Sequence, residues 1–296
     1  MATTTQWVEG ARLRTLPAAI APVLVGTAAA VEHAGELPRV GGFVAALIGS
    51  VFIQIGTNLA NDYSDARRGA DTADRLGPVR VTSSGLVAPQ RVLVATWVAF
   101  AVAVACGIYL AALAGPVILL IGALSIAAGV LYTGGPRPYG YAGLGELFVF
   151  LFFGLVAVNG SYYVQLEQLD FLPIGLSVAV GMLATAILVV NNVRDIETDL
   201  RAGKRTLAVR LGRPRTRRLY ALLVDGSYVV LLATLLINGG PWWALLGLLS
   251  VPLLGRPMRM VLTRTDGAAL NQALAATGAL LAAFSVLVSA GLLIAS

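Results

Sequence analysis

Two short clusters of Asn and Asp carry most of the polar chemistry in this apolar chain. The first, NDYSDARRGAD, covers residues 61–71 and follows a long apolar run, and the second, NNVRDIETD, covers residues 191–199. Carboxylates close to the hydrocarbon of a membrane cost several kcal/mol and are rare unless they are paired or functional. One such cluster is typical of a solvated helix end. Two clusters, each followed by a basic segment, predict a shared polar site.

Helical spacing brings the oxygen ligands of each cluster onto one face, provided that the preceding apolar helix continues through it. The first set is Asn58, Asp62 and Asp65, and the second is Asn191, Asp195 and Asp199. Hard divalent cations prefer such oxygens, and Mg²⁺ completes its shell with water and substrate phosphate. We therefore expect the four Asp residues to act in catalysis and both sets to bind metal. Which of them touch the metal directly stays open, as it does for Asp71.

Basic residues beside the clusters can neutralise the remaining charge of a bound diphosphate. They are Arg67, Arg68, Arg194, Lys204 and Arg205. Lys204 and Arg205 follow Gly203, which predicts a flexible loop that reaches the diphosphate. These residues are therefore predicted to bind substrate.

The composition defines the elements that must position this site. The chain has 296 residues, 57% of them hydrophobic and only 12% charged, with a mean hydropathy of +0.81. A soluble domain carries about twice that charged fraction. The sequence therefore predicts an all-α, polytopic bundle of membrane helices. One Cys and one His exclude an intrachain disulfide or a His-rich metal site.

Nine apolar segments are long enough, some with flanking residues, to be candidate spans. They are residues 16–31, 40–59, 92–113, 116–132, 144–164, 171–190, 219–237, 242–254 and 269–294. With a cytoplasmic N-terminus, 20 of the 21 Lys and Arg lie on the cytoplasmic side, and only Arg39 lies outside. We expect one domain, residues 1–296, in the cell membrane, with cytoplasmic cap loops at residues 61–91 and 194–218. This bias explains the net charge of +6 without a nucleic-acid partner.

Several stretches resemble the UbiA superfamily of intramembrane prenyltransferases, and within it the 1,4-dihydroxy-2-naphthoate prenyltransferases. They are NDYSDARRGADTADRLGPVR, SSGLV, YTGGPRPYGYAGLGELFVFLFFG and NNVRDIETDLRAGKRTLAVRLG. The resemblance covers about residues 12–218, and the last three spans match only in hydropathy. Many superfamily members have an Asp where this chain has Gly69. The spacing to Asp71 is that of the naphthoate subfamily.

The resemblance implies that the chain transfers a prenyl group from a polyprenyl diphosphate to 1,4-dihydroxy-2-naphthoate. Carbon dioxide is lost, and the product is the menaquinone precursor demethylmenaquinone. Mg²⁺ held by the two Asp motifs would neutralise the diphosphate. Arg80, in the loop that also contains Gly77 and Pro78, is expected to face the anionic acceptor. Tyr132 is expected to face the allylic cation, and Tyr139 to contact substrate.

Two alternatives keep part of this interpretation. A prenyltransferase with another acceptor, such as 4-hydroxybenzoate or homogentisate, would use the same site. A secondary transporter would instead gather polar residues at the bilayer midplane, whereas here they gather near one membrane face. Glu146 could orient a basic side chain, act as a base or cap a helix, and Asp225 could pair with Arg218.

Overall fold

The computed structural model describes residues 3–70, 76–77 and 79–296, and in these ranges the chain is helical without a β-strand. Asp71 and Pro78, both singled out in the sequence, lie outside the described residues. The α-helices are, in chain order, α1 (Thr4–Ala11), α2 (Leu16–Ala34), α3 (Val40–Arg67), α4 (Pro89–Ala114), α5 (Val117–Leu131), α6 (Gly145–Val149), α7 (Ala157–Leu166), α8 (Phe171–Arg201), α9 (Leu207–Asn238), α10 (Gly255–Thr263) and α11 (Gly267–Ala295). A π-helical segment, Phe150–Val156, joins α6 to α7. A 3₁₀ helix, Trp242–Leu253, precedes α10.

The helical lengths confirm the predicted class. Among the described residues, seven helices are long and apolar enough to cross a membrane, or eight if the 3₁₀ helix and α10, bent by 46°, form one span. The apolar helix α5 is shorter, with 15 residues. Each of the nine predicted segments is helical over most of its length; the fifth corresponds to α6, the π-helical segment and α7 together, and the eighth to the 3₁₀ helix. The number of crossings and the side of the N-terminus stay predictions.

Helix α8 forms the centre of the bundle. It packs against α2, α9 and α11, and against the π-helical segment. Its middle is apolar on all sides, and Leu183, Val189 and Val190 are fully buried. A helix that is hydrophobic all round belongs in the interior of such a bundle. At the crossing with the π-helical segment, a Cβ on Gly154 would lie 2.6 Å from the Cα of Gly181, so glycine allows this close approach.

The first acidic cluster is helical as far as Arg67, where α3 ends, and the second is helical throughout, because α8 continues to Arg201. The second expected cap loop, residues 194–218, is therefore mostly helix rather than loop. Only residues 202–206 separate α8 from α9. Gly203, with φ of 74°, lies in this turn, and the Thr206 hydroxyl accepts a hydrogen bond from the Val209 amide at 3.4 Å. Arg39, the one cation predicted on the other side, lies at the opposite end of α3, where it donates hydrogen bonds to the carbonyls of Leu113 and Val164.

Candidate active site

A cavity of about 380 Å³ runs along the inner side of α3. On α3 it extends from Ala46 to Asp65, which is about 28 Å at 1.5 Å per residue, close to the thickness of the hydrocarbon core. At the Asp65 end the wall is polar and includes residues of both acidic clusters. At the Ala46 end the wall includes Leu110, Ile118 and Val164. The cavity thus joins a charged end to a long, largely apolar chamber.

Asp65 lies at the centre of the charged end. Its side chain is 1% exposed, and its Oδ2 is 3.2 Å from Arg80 Nη2 and 3.1 Å from Lys204 Nζ. The Tyr141 hydroxyl donates a hydrogen bond to Oδ1 at 2.6 Å, and Lys204 Nζ lies 4.8 Å from the centre of the Tyr141 ring. Three chain segments distant in sequence therefore meet at one buried carboxylate.

Asp62 has a different environment. Its two oxygens accept hydrogen bonds from the backbone amides of Val81 and Thr82, at 3.0 and 2.9 Å. It does not line the cavity in the described part of the chain; Asn61, its neighbour, does so, and its side-chain oxygen accepts a hydrogen bond from Thr133. Asn58 and Asp65 of the predicted face border the cavity, and Asp62 is the member of that set that does not. Asp62 instead fixes the loop that carries Arg80.

The second cluster lines the same cavity with Asn191, Asp195 and Asp199, on one face of α8 as their spacing predicts. Arg194 is buried beside them and pairs with both oxygens of Asp195, at 2.7 and 2.5 Å. The guanidinium also donates to the side-chain oxygens of Asn191 and Asn271, at 2.7 Å each. Asn271 of α11 in turn donates to the carbonyl of Leu76. Arg194 thus fixes Asp195 and connects α8 to α11.

Aromatic rings form one wall of the cavity. The Tyr132 ring meets Tyr139 edge to face at 5.4 Å, Tyr139 stacks on Phe148 at 4.0 Å, and Phe148 stacks on Phe152 at 6.1 Å. The Tyr139 hydroxyl donates to the Ala128 carbonyl at 2.9 Å. Burial raises the pKa of the Tyr139 phenol, so it stays a neutral donor. Both tyrosines selected from the sequence therefore face the cavity.

A further wall, near the N-terminus, is polar, and Asn58 is the one residue of it that was predicted as part of the site. Arg12, Thr15, Gln54 and Asn58 line it. The Thr15 hydroxyl oxygen accepts hydrogen bonds from the side-chain amides of Gln54 and Asn58, both at 3.0 Å. Asn58 also donates to the carbonyl of Ala11. The amide group of Asn58 therefore fastens the N-terminal segment to α3.

Four of the predicted cationic residues do not line the cavity. Arg67 is exposed and donates to the Tyr63 hydroxyl at 3.2 Å, and Arg68 is exposed and donates to the carbonyl of Gly135. Arg205 is exposed as well, and its backbone amide donates to the Tyr141 carbonyl. Arg194 borders the site only through Asp195 and Asn191. Arg80 and Lys204 are the predicted cations that the fold brings to Asp65.

Sequence reasoning missed several residues of this site. Asn61 and Asn192 stand next to the Asp and Asn that were chosen, so the doublets ND and NN were signals that both members matter. Asn192 lines the cavity and donates to Glu146 Oε1 at 2.8 Å, which makes Glu146 a buried partner of α8 rather than a helix cap. Tyr141 carried no signal that set it apart from the neighbouring tyrosines.

The donor set of the cavity fits Mg²⁺ in its chemistry. Carboxylates of Asp65, Asp195 and Asp199 face one space together with amide side chains, and all offer oxygen ligands. The described residues include no group of three or more His, Cys, Asp or Glu close enough to hold a metal. Arg80, Lys204 and Arg194 instead neutralise Asp65 and Asp195, a task that a divalent cation can share.

Comparison with known proteins agrees with the helical bundle described above. The UbiA prenyltransferase family matches residues 19–282, and the chain belongs to that family of membrane-embedded transferases. Among curated relatives, a 1,4-dihydroxy-2-naphthoate octaprenyltransferase of Mycobacterium tuberculosis is 48% identical, over 95% of this chain and 98% of the relative. A protein of the same name from Escherichia coli is 43% identical, over 94% and 92%.

Solved structures show the same fold. A UbiA homolog from Archaeoglobus fulgidus bound to GPP and Mg²⁺ superposes with a TM-score of 0.67 at 16% identity, over 97% of this chain and 99% of that chain. The apo structure of a UbiA homolog from Aeropyrum pernix gives 0.71 at 13% identity, over 96% and 98%. The chain is thus a multi-pass membrane prenyltransferase with the architecture of this family.

Proposed function

We propose that this chain transfers a polyprenyl group from a polyprenyl diphosphate to 1,4-dihydroxy-2-naphthoate, with loss of diphosphate and carbon dioxide, to give demethylmenaquinone in its reduced, quinol form. The observation that carries the proposal is the cavity along α3, which joins buried carboxylates and cations at one end to a long apolar chamber at the other. A diphosphate with a lipid tail has this distribution of charge. The naphthoate acceptor rests on the relatives named for it, at up to 48% identity.

The charged end binds the diphosphate in this proposal. Asp65, Asp195 and Asp199, with Asn61 and Asn191, would hold Mg²⁺, which supplies the positive charge that stabilises the leaving diphosphate. Arg80 and Lys204 are already gathered at Asp65 and are positioned to bind the phosphate oxygens. Asp62 contributes by holding the loop of Arg80. Asp71 stays a candidate ligand from sequence.

The reaction breaks the allylic C–O bond, and the bonding electrons leave with the diphosphate. The aromatic wall of Tyr132, Tyr139 and Phe148 presents ring faces that stabilise the resulting cation without attacking it. A ring carbon of the acceptor then forms the new bond to the allylic carbon. This ring carbon is the one that bears the carboxylate, which leaves as carbon dioxide, and the electrons of the broken bond between ring and carboxylate restore the aromatic ring. The prenyl tail occupies the apolar chamber.

We further propose that the chain acts as one unit in the cell membrane, with the charged end of the cavity opening to the cytoplasm. The distribution of Lys and Arg supports this orientation. In this orientation the acceptor enters the cavity from the cytoplasm, and the prenyl tail of the diphosphate enters from the bilayer.

The test is a reaction of the purified chain in nanodiscs with Mg²⁺, octaprenyl diphosphate, and either 1,4-dihydroxy-2-naphthoate or 4-hydroxybenzoate. We expect a prenylated, decarboxylated product from the naphthoate alone, and its loss on adding EDTA. Asp65→Asn should remove the product, whereas Asp266→Asn, the same change at an exposed helix cap of α11, should not. Product from 4-hydroxybenzoate alone would overturn the acceptor, and no product from either would overturn the function.

A further inference from the structure

Gln54, in the middle of α3, has one of the buried polar side-chain atoms that lack a hydrogen-bond partner among the described residues. The side-chain oxygen Oε1 of Gln54 is buried and forms no hydrogen bond, and Gln54 as a whole is only 8% exposed. Burying an amide oxygen without a partner is costly, and polar residues at this depth usually have a function. Gln54 lines the cavity, so its oxygen can be satisfied by a ligand there.

The orientation of this amide is fixed by its neighbours. Gln54 Nε2 donates to the Thr15 hydroxyl oxygen at 3.0 Å, and the Thr15 hydroxyl in turn donates to the carbonyl of Arg12 at 2.9 Å. Because the nitrogen side of the amide is held by Thr15, the oxygen side is left as an acceptor. A hydroxyl or another N–H or O–H donor of a ligand is the chemistry that it can recognise.

A cation borders the same wall. Arg12 lines the cavity, and its backbone has φ of 54° and ψ of 65°, a left-handed conformation that non-glycine residues seldom adopt. This conformation ends α1, where the Arg12 amide donates a hydrogen bond to the Glu9 carbonyl, and it fixes the point at which the Arg12 side chain leaves the backbone. Guanidinium groups bind carboxylates in a bidentate, planar geometry. The wall thus offers an acceptor for a hydroxyl and a cation for a carboxylate.

The position of this wall suits the second substrate. Gln54 lies 11 residues before Asp65 on α3, which is about 16 Å along the helix. The aromatic wall, with Tyr139 and Phe148, belongs to other elements of the same cavity. The separation leaves room for a diphosphate at Asp65 and for an aromatic ring between the two.

We propose that Arg12 and Gln54 bind the aromatic acceptor and form an acceptor site. The Arg12 guanidinium pairs with the carboxylate of the acceptor, and Gln54 Oε1 accepts a hydrogen bond from a ring hydroxyl. This inference rests on the proposed function and names the specificity determinants of that site. An acceptor site that binds both groups discriminates against aromatic rings that lack either one, because the corresponding polar group of the protein would then be buried without a partner.

The experiment measures dissociation constants directly, so that it does not depend on turnover. The wild-type chain in nanodiscs is titrated with 1-hydroxy-2-naphthoate, with 1-naphthol, which lacks the carboxylate, and with 2-naphthoate, which lacks the hydroxyl. Arg12→Gln should weaken 1-hydroxy-2-naphthoate about tenfold and leave 1-naphthol unchanged. Gln54→Leu should weaken 1-hydroxy-2-naphthoate by a similar factor and leave 2-naphthoate unchanged.

Matched controls separate this effect from a general disturbance. Arg14→Gln alters an exposed arginine two residues away, and Gln168→Leu alters an exposed glutamine beyond α7, and neither residue lines the cavity. Gln54→Glu keeps an acceptor oxygen and should retain more affinity than Gln54→Leu. The proposed acceptor site would be overturned if Arg12→Gln changed the dissociation constants of 1-hydroxy-2-naphthoate and 1-naphthol equally, or changed neither. The same holds for Gln54→Leu with 1-hydroxy-2-naphthoate and 2-naphthoate. If the wild-type chain formed no prenylated product but the variants showed these differences in affinity, the proposed function would be overturned and the acceptor site would not.

Discussion

The two acidic clusters look alike in sequence, yet the fold uses them differently. On α3, Asp65 meets two cations and a tyrosine hydroxyl from three separate segments, and Asp62 is bound to a loop backbone. On α8, Asp195 has one bidentate partner, its own neighbour Arg194, which is anchored on α11. The first cluster therefore gathers distant loops around an anion, and the second is a rigid part of the helical core.

The largest effect is expected at Asp65. Asp65→Asn should lower the rate of product formation by about 10³-fold or more, because it removes one of the carboxylates that would hold Mg²⁺ at the point where the diphosphate leaves. It should also lower the melting temperature, since Arg80 and Lys204 would lose the buried carboxylate that they share. Turnover assays and thermal unfolding of the same preparation check both. Activity near that of the wild type would contradict the central role of this carboxylate.

A single cation should matter more for stability in the second cluster than in the first. Arg194→Gln leaves Asp195 buried without its bidentate partner, and a loss of about 3–5 kcal/mol is typical of breaking a buried pair. Lys204→Gln should cost less stability, because Arg80 and Tyr141 still contact Asp65, but it should slow turnover. Equal unfolding midpoints for the two variants would contradict the contrast between the rigid cluster on α8 and the cluster on α3 that gathers distant loops.

Asp62 tests whether a motif carboxylate can act through a loop. An amide at this position can accept from only one side, so Asp62→Asn loses one of two backbone hydrogen bonds, at a cost of about 1–3 kcal/mol. We expect faster proteolytic cleavage between residues 79 and 88 and a raised KM for the prenyl diphosphate. Complete inactivity with an unchanged cleavage pattern would instead place Asp62 among the groups that touch the metal.

The smallest change concerns one hydroxyl. Tyr141→Phe removes the hydrogen bond to Asp65 but keeps the ring below Lys204, so a loss of about 0.5–1.5 kcal/mol in transition-state stabilisation is expected, a few-fold to tenfold in kcat. Tyr63→Phe is a matched control, because its hydroxyl contacts only the exposed Arg67 in the described structure. A larger loss at Tyr141 would assign its hydroxyl a direct part in the reaction.

Sequence patterns predicted the helical class, the apolar segments and the shared face on α8, because these depend on local periodicity. On α3 they selected Asn58 and Asp65, which line the cavity, but Asp62 in place of its neighbour Asn61, because one residue turns a helix by about 100°. They also selected the cations near the two clusters without distinguishing those that reach the cavity. Arg67 and Arg68 are closer to Asp65 along the chain than Arg80 or Lys204, but only tertiary folding decides which side chain arrives.

The polar N-terminal wall escaped prediction for a related reason. Arg12 and Thr15 precede the first apolar segment, and nothing in their spacing relates them to Gln54, 39 residues beyond Thr15 in the chain. Only the packing of the N-terminal segment on α3 brings them together. A polar residue inside an apolar run, such as Gln54, is the signal that survives in the sequence.

The π-helical segment Phe150–Val156 has a consequence for comparing this chain with its relatives. A π turn holds about one residue more than an α turn and behaves as a single-residue insertion in a helix. Any alignment with a relative that is α-helical throughout this span therefore needs a gap, although hydropathy is the same on both sides. Deletion of Leu151 would restore a regular helix and rotate Phe148 by about 100° relative to Gly160, so a change without effect on polarity would dismantle the aromatic wall.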